Sequence, residues 1–159
     1  MPTCADQTAL FGLVPYLGQA LTAVLYLVWA ALLVALGAEL RREFGLATVA
    51  SLLSWCAVAG GVLSAAVALL QHHEISTVLD PLIARKAGNA VFGNLGQPNH
   101  FAGHLALALG SLVYLHISGR LGAVAALVAG APVMYTLGLT GSRSAWGFLA
   151  LMFVLALAL

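Results

Sequence analysis

The sequence predicts an all-α protein, a polytopic transmembrane helical bundle of about five spans, the last one truncated. Of 159 residues, 62% are hydrophobic and 7% are charged, whereas an average soluble domain carries about 25% charged residues. Whole stretches of helix length lack polar groups on every face, so the solvent that they meet must be lipid. These stretches are rich in Leu and Ala without strand-like alternation, which favours helices over a barrel.

Residues 1–70 are predicted to form a pair of hydrophobic helices. The first span covers about 17–38 and ends at a charged segment, and the second covers about 46–70. Each reaches the roughly 20 residues that a bilayer requires. Small residues in the second span permit close approach by a neighbouring helix; they are Gly60, Gly61, Ser64 and Ala65.

The rest of the chain divides into a polar loop and the start of a helical core. Residues 71–99 are predicted to be the loop, and Asn99 is predicted to be the N-cap of the next span. The core spans are then about 100–118, 121–139 and 145–159. The last of these is too short to cross a bilayer, so we expect the chain to be an N-terminal fragment of a longer protein.

Charge excludes one class of partner and leaves the orientation open. A formal net charge of +1 provides no basic stripe for nucleic acid, so no nucleic-acid partner is predicted. The lipid bilayer is predicted from the apolar stretches instead. The positive-inside rule does not choose a topology, because three basic residues fall on each side of the membrane. They are Arg41, Arg42 and Arg120 on one side, and Arg85, Lys86 and Arg143 on the other.

Two short elements carry the residues best suited to chemistry, Gly93 to His100 and Leu139 to Ser144. Even alternation of five spans places both on one membrane face. In the first, glycines permit sharp turns, while Gln97 and Asn99 offer amides suited to hydroxyl-rich or phosphate ligands. A plain helix cap and turn is the alternative interpretation.

Arg143 lies in a short turn between two spans, which holds its guanidinium at the interface. A planar guanidinium binds phosphate through two parallel hydrogen bonds, and the alternative is that it reaches lipid headgroups without a specific ligand. Ser142 could donate to the same anion. Ser144 is predicted to cap the fifth helix.

His100 and His104 are four residues apart and share a helix face with Leu107 and Ser111. We therefore expect this polar stripe to point into the bundle. The pair lacks the inner Glu and the third ligand of a zinc motif, so no metal site is predicted.

With these residues in view, the sequence resembles bacterial O-oligosaccharyltransferases of the protein glycosylation ligase type, within the O-antigen ligase and polymerase superfamily. The resemblance covers about residues 88–150. It rests on two strings, Phe92-Gly-Asn-Leu-Gly-Gln-Pro-Asn-His-Phe-Ala102 and Leu139-Thr-Gly-Ser-Arg-Ser-Ala-Trp146. The first is similar to the family's GNxGQPNH element, and the second to its small-residue turn with Ser and Arg.

The resemblance implies an enzyme of the bacterial inner (cytoplasmic) membrane. The full-length protein would transfer a glycan from undecaprenyl diphosphate to a Ser or Thr of a periplasmic protein such as pilin, without a cofactor. Loops 71–99 and 140–144 would be periplasmic. Arg143 would be catalytic, and the substrate-binding residues would be Gln97, Asn99, His100, Ser142 and Arg143. The general base is expected beyond Leu159, so this part alone is expected to be inactive.

Three alternative functions stay open at this point. An O-antigen ligase or polymerase would act on lipid A core or on another glycan. A membrane transporter would use the histidines and Arg143 along a permeation path. A structural membrane subunit would use the small-residue helix faces as its interface.

Overall fold

A computed structural model describes residues 17–78, 80–84 and 91–158. Most of these residues are helical, and none of them is in a strand. A 3₁₀ turn at Asp80–Leu82 interrupts the loop after the second helix. The five α-helices are α1 (Leu17–Phe44), α2 (Leu46–His72), α3 (Pro98–Ile117), α4 (Ala123–Leu139) and α5 (Arg143–Ala158). The predicted all-α class and the number of helices are confirmed.

Three helices are long and apolar enough to cross a membrane: Gly18–Phe44 within α1, and the whole of α2 and α3. The fourth, α4, is apolar and 17 residues long, and it continues through Pro132. At about 1.5 Å per residue it extends roughly 25 Å, slightly less than a typical hydrocarbon core. The transmembrane character of the predicted bundle therefore rests on α1, α2 and α3.

The chain divides into two compact units, residues 1–49 and 50–159. In the first unit, α1 exposes large apolar side chains such as Leu25 and Val34. The helix ends at Gly45, which has a φ of 78° and donates its N–H to the carbonyl of Arg41 at 3.0 Å. A glycine in this left-handed conformation is a common helix terminator, because it lacks the Cβ that would clash.

In the second unit, α2 packs through a stripe of small residues that recurs every three or four positions. A Cβ added at Gly61 would overlap the Cβ of Ala108 on α3, and one added at Gly60 would lie 3.4 Å from the His104 ring. The buried stripe is Ser51, Ser54, Val58, Gly61, Ala65, Ala68 and Gln71. The predicted close approach of a neighbouring helix is confirmed, and the neighbour is α3.

The central helix of this unit is α3, which also packs against α4 and α5. Its side chains at Phe101, Leu105 and Leu115 are completely buried. Val133 of α4 and Ala145 of α5 belong to the same core cluster. Because α3 is covered by three neighbours, packing fixes the body of the helix below its first turn.

Both helix starts near the polar elements differ from prediction. The N-cap of α3 is Gln97 and the helix begins at Pro98, so the prediction that Asn99 is the N-cap is wrong. Proline favours this first position because its fixed φ suits a helix and its missing N–H has no helical partner. Since α5 begins at Arg143, Ser144 lies inside the helix, and the prediction that it is the cap is also wrong.

We predict that Gly61→Ala lowers thermal stability in detergent, because the added methyl group has no space beside Ala108. Overpacking of this kind costs about 1–3 kcal/mol. The measurement is the unfolding midpoint followed by circular dichroism. The matched control is Gly103→Ala on α3, where an added Cβ meets nothing within 4 Å and should be neutral or slightly stabilising. Equal midpoints for the two variants would contradict the packing described here.

Candidate functional site

The two polar elements meet where α3 and α5 begin. The Ser142 hydroxyl donates to Asn99 Oδ1 at 2.8 Å, across 43 residues of sequence. Ser142 is 5% exposed whereas Asn99 is exposed, so the bond is partly buried. The GNxGQPNH element and the Ser–Arg turn are thus in direct contact.

The direction of the hydrogen bonds at Ser142 follows from the donors available. A carboxamide oxygen only accepts, so the single hydroxyl hydrogen of Ser142 is used by Asn99. The Ser144 hydroxyl lies 2.8 Å from the Ser142 hydroxyl and must therefore be the donor between the two serines. The amide NH₂ of Asn99 has no acceptor in the described part of the chain and stays available to a ligand.

Thr140 fixes the turn and was missed by the sequence interpretation. It is 1% exposed, its hydroxyl donates to the Leu137 carbonyl at 2.8 Å, and the same oxygen accepts the Ser142 N–H at 3.2 Å. Gly141 supplies the left-handed step with a φ of 62°. In the sequence, the signal that could have identified Thr140 is its position between an apolar run and a glycine.

Arg143 is the first residue of α5, and its side chain is exposed. Among residues 17–78, 80–84 and 91–158, no carboxylate forms an ion pair with it. Hydrogen bonds of Thr140 and Ser142 hold the turn that precedes Arg143, so the backbone of Arg143 is fixed while its guanidinium is exposed. Arg85 and Lys86, the other basic residues predicted for this face, lie outside the described residues.

The N-termini of α3 and α5 converge at the Asn99–Ser142 contact. The first N–H groups of a helix lack helical partners and carry a partial positive charge, so a helix N-terminus attracts anions. Neither helix has an acidic residue in its first turn. Two helix N-termini and the Arg143 guanidinium therefore contribute positive potential to one place, which suits a phosphate or diphosphate.

The remaining predicted residues lie around this place with different exposures. Gln97 is exposed and its side chain makes no cap hydrogen bond, and His100 is exposed as well. The prediction that the polar stripe points into the bundle is wrong for His100 and for Leu107, which is 62% exposed. It holds for Ser111, which is buried. The stripe lies on the flank of the buried face of α3, where α2 covers it only in part.

His104 is the member of this stripe that packs against α2, beside Gly60. In the described residues, no cluster of three or more His, Cys, Asp or Glu side chains is arranged to hold a metal ion. The groups that the candidate site offers are a guanidinium, amides, hydroxyls and helix N-termini.

We predict that Asn99 and Ser142 are energetically coupled. In a double-mutant cycle with Asn99→Ala and Ser142→Ala, the coupling free energy of unfolding should be about 0.5–1.5 kcal/mol, the net value of one partly buried hydrogen bond. The control cycle pairs Asn94→Ala with Ser142→Ala, whose side chains share no partner, and it should be additive. Additivity in both cycles would show that the bond contributes nothing.

Comparison with known proteins agrees with the resemblance over a short stretch. A family model described as protein glycosylation ligase matches residues 91–116, which include Gln97, Asn99 and His100. No curated protein and no solved structure gives a significant match to the chain. The match supports similarity to the O-oligosaccharyltransferases and, in general terms, a protein glycosylation ligase activity.

Proposed function

We propose that the full-length protein transfers a glycan from undecaprenyl diphosphate to a Ser or Thr hydroxyl of a periplasmic protein such as pilin. The observation that carries the proposal is the Ser142–Asn99 hydrogen bond, which joins two helix N-termini beside Arg143. Such an arrangement at the end of apolar helices suits a ligand with a diphosphate at the membrane surface and a lipid chain below. The family match over residues 91–116 adds the glycosylation chemistry.

In the proposed reaction, the bond between the sugar C1 and the diphosphate oxygen breaks, and the acceptor hydroxyl oxygen forms the new bond to C1 while its proton passes to the released diphosphate. The electron pair of the broken bond stays on the diphosphate, so negative charge develops on that oxygen. A preorganised cation aimed at developing charge lowers the barrier, because it needs no rearrangement during the reaction. Arg143 takes this role as the catalytic residue.

The substrate-binding roles follow from exposure and hydrogen-bonding capacity. The Ser142 hydroxyl accepts a hydrogen bond from the Ser144 hydroxyl and donates one to Asn99 Oδ1. The Asn99 NH₂ group is therefore left to donate to diphosphate oxygens or sugar hydroxyls. Gln97 and His100 are exposed on the same turn and would contact the glycan. Each of these side chains offers hydrogen-bond donors or acceptors, which suits a hydroxyl-rich ligand.

The proposal sets the orientation in the bacterial inner membrane. Residues 71–99 and 140–144 would be periplasmic, with Arg143 among them, while Arg41, Arg42 and Arg120 would be cytoplasmic. An O-antigen ligase or polymerase would use the same donor with lipid A core or a glycan as the acceptor. The protein acceptor is preferred because the family match is described as protein glycosylation ligase.

We predict that Arg143→Lys lowers glycan transfer by at least about tenfold, since lysine keeps the charge and loses the two-pronged phosphate contact. The assay uses the full-length protein in membrane vesicles with a lipid-linked glycan and a pilin acceptor. Glycosylated pilin is quantified by intact mass. Arg120→Lys is the matched control, because Arg120 is an exposed arginine in the turn between α3 and α4, and it should retain wild-type transfer.

Two outcomes would count against the proposal. Wild-type protein that glycosylates no pilin while transferring the glycan to lipid A core would establish the ligase alternative. Full activity of Arg143→Lys would remove the role given to the guanidinium.

A further inference from the structure

Gln71 is a buried polar side chain in the last turn of α2, 7% exposed. Its amide bonds to backbone far along the chain. Nε2 donates to the Ala84 carbonyl at 2.6 Å and to the Gly93 carbonyl at 3.4 Å, and Oε1 accepts the Gly93 N–H at 3.2 Å. One side chain thus satisfies three backbone groups in the loop that precedes α3.

Gly93 is held from both sides. Gln71 engages its N–H and its carbonyl, while a Cβ added at Gly93 would lie 3.3 Å from the Phe101 ring and 3.6 Å from the Ser64 carbonyl oxygen. Gly93 has a φ of 54°, which disfavours any other residue. The loop therefore passes through a narrow gap between α2 and the start of α3.

Asn94 makes a second connection of the same kind. Its Oδ1 accepts the Ala84 N–H at 2.9 Å, and its Nδ2 donates to the Leu82 carbonyl at 2.8 Å. Hydrogen bonds of the Gln71 and Asn94 side chains therefore connect residues 82–84 to residues 93–94. A cavity of about 530 Å³ adjoins this junction, lined in part by Gln71 and Ala84.

We propose that Gln71 is a positioning residue of the candidate site, which sets the conformation of the segment that presents Gln97 and Asn99. Val91, Phe92 and Gly93 are buried beside the Gln71 amide. Gln97, the N-cap of α3, comes four residues after Gly93. Only Asn94, Leu95 and Gly96 separate Gly93 from Gln97, so the conformation at Gly93 limits where the Gln97 amide can lie. The effect on catalysis rests on the proposed function, whereas the effect on the loop does not.

Glutamine suits this position because its side chain carries two donors and an acceptor at the required length. Glutamate would keep the acceptor for the Gly93 N–H but would face the carbonyl oxygens of Ala84 and Gly93 with a carboxylate. Methionine would fill a similar volume and leave all three backbone groups without partners. Buried backbone groups left in this state are costly, so both substitutions should loosen the loop.

The test is hydrogen–deuterium exchange of the protein in lipid nanodiscs without substrate. In Gln71→Met, amides of residues 91–97 should exchange about tenfold faster or more, the size expected when local opening becomes easier by one or two hydrogen bonds. The α3 amides around Leu105 to Leu112 should keep their protection. The control is Glu74→Gln, an exposed acid-to-amide change three residues away, which should leave both regions unchanged.

A second variant covers the case in which Gln71→Met disturbs the whole bundle. Asn94 is exposed, so Asn94→Ala should leave the helices folded while it speeds exchange at Ala84. Unchanged exchange of residues 91–97 in Gln71→Met would overturn the proposal.

The predicted effect of Gln71 on catalysis is tested by measuring the Michaelis constant in the transfer assay. A displaced Gln97 and Asn99 should raise the KM for the lipid-linked glycan several-fold, whereas mere loss of folded protein would lower the rate and leave that KM unchanged. Wild-type protein without transfer activity would refute the proposed function and leave the exchange result intact. Faster exchange with an unchanged KM would confine Gln71 to a structural role and refute its positioning role.

Discussion

The hydrogen bond from Ser142 to Asn99 joins the first turn of α3 to the turn before α5, and the position of Arg143 depends on it. Arg143 follows Ser142 directly, so whatever fixes the serine also fixes the base of the arginine. Thr140 also holds this turn, because its hydroxyl oxygen accepts the Ser142 N–H. A long, flexible cationic side chain therefore starts from a rigid backbone, which reduces the entropy lost when it binds an anion.

Packing of α3 explains how one hydrogen bond can determine this geometry. Phe101 and Leu105 are completely buried, and Gly61 of α2 allows its backbone to approach Ala108 closely. The body of α3 is thus fixed by apolar contacts one to three turns below its start. Gln71 and Asn94 hold the loop on the other side of the same turn, so Asn99 lies between an ordered loop and a packed helix.

The sequence predicted the helical fold well because long apolar stretches in lipid have one backbone solution. The helix starts were predicted less well. With Pro98 at the start of α3 and Gly141 before α5, both helices begin closer to the N-terminus than expected, and the N-caps expected at Asn99 and Ser144 were wrong. Span alternation predicted that the two polar elements share one membrane face, but it did not predict their direct contact. Gln71 and Thr140 could not be identified, because their partners are set by chain folding, and the exposure of His100 depends on which flank of α3 its neighbours cover.

The account requires Arg143 and the lipid diphosphate to be on the same, outer side of the inner membrane. Cysteine labelling in intact cells tests this most directly, with Cys4 and Cys56 replaced by alanine and a maleimide that cannot cross the inner membrane. A cysteine at Ser144 should be labelled, and one at Gly122, in the turn before α4, should react only after the membrane is opened. Labelling of the Gly122 position alone in intact cells would place Arg143 in the cytoplasm and contradict the account.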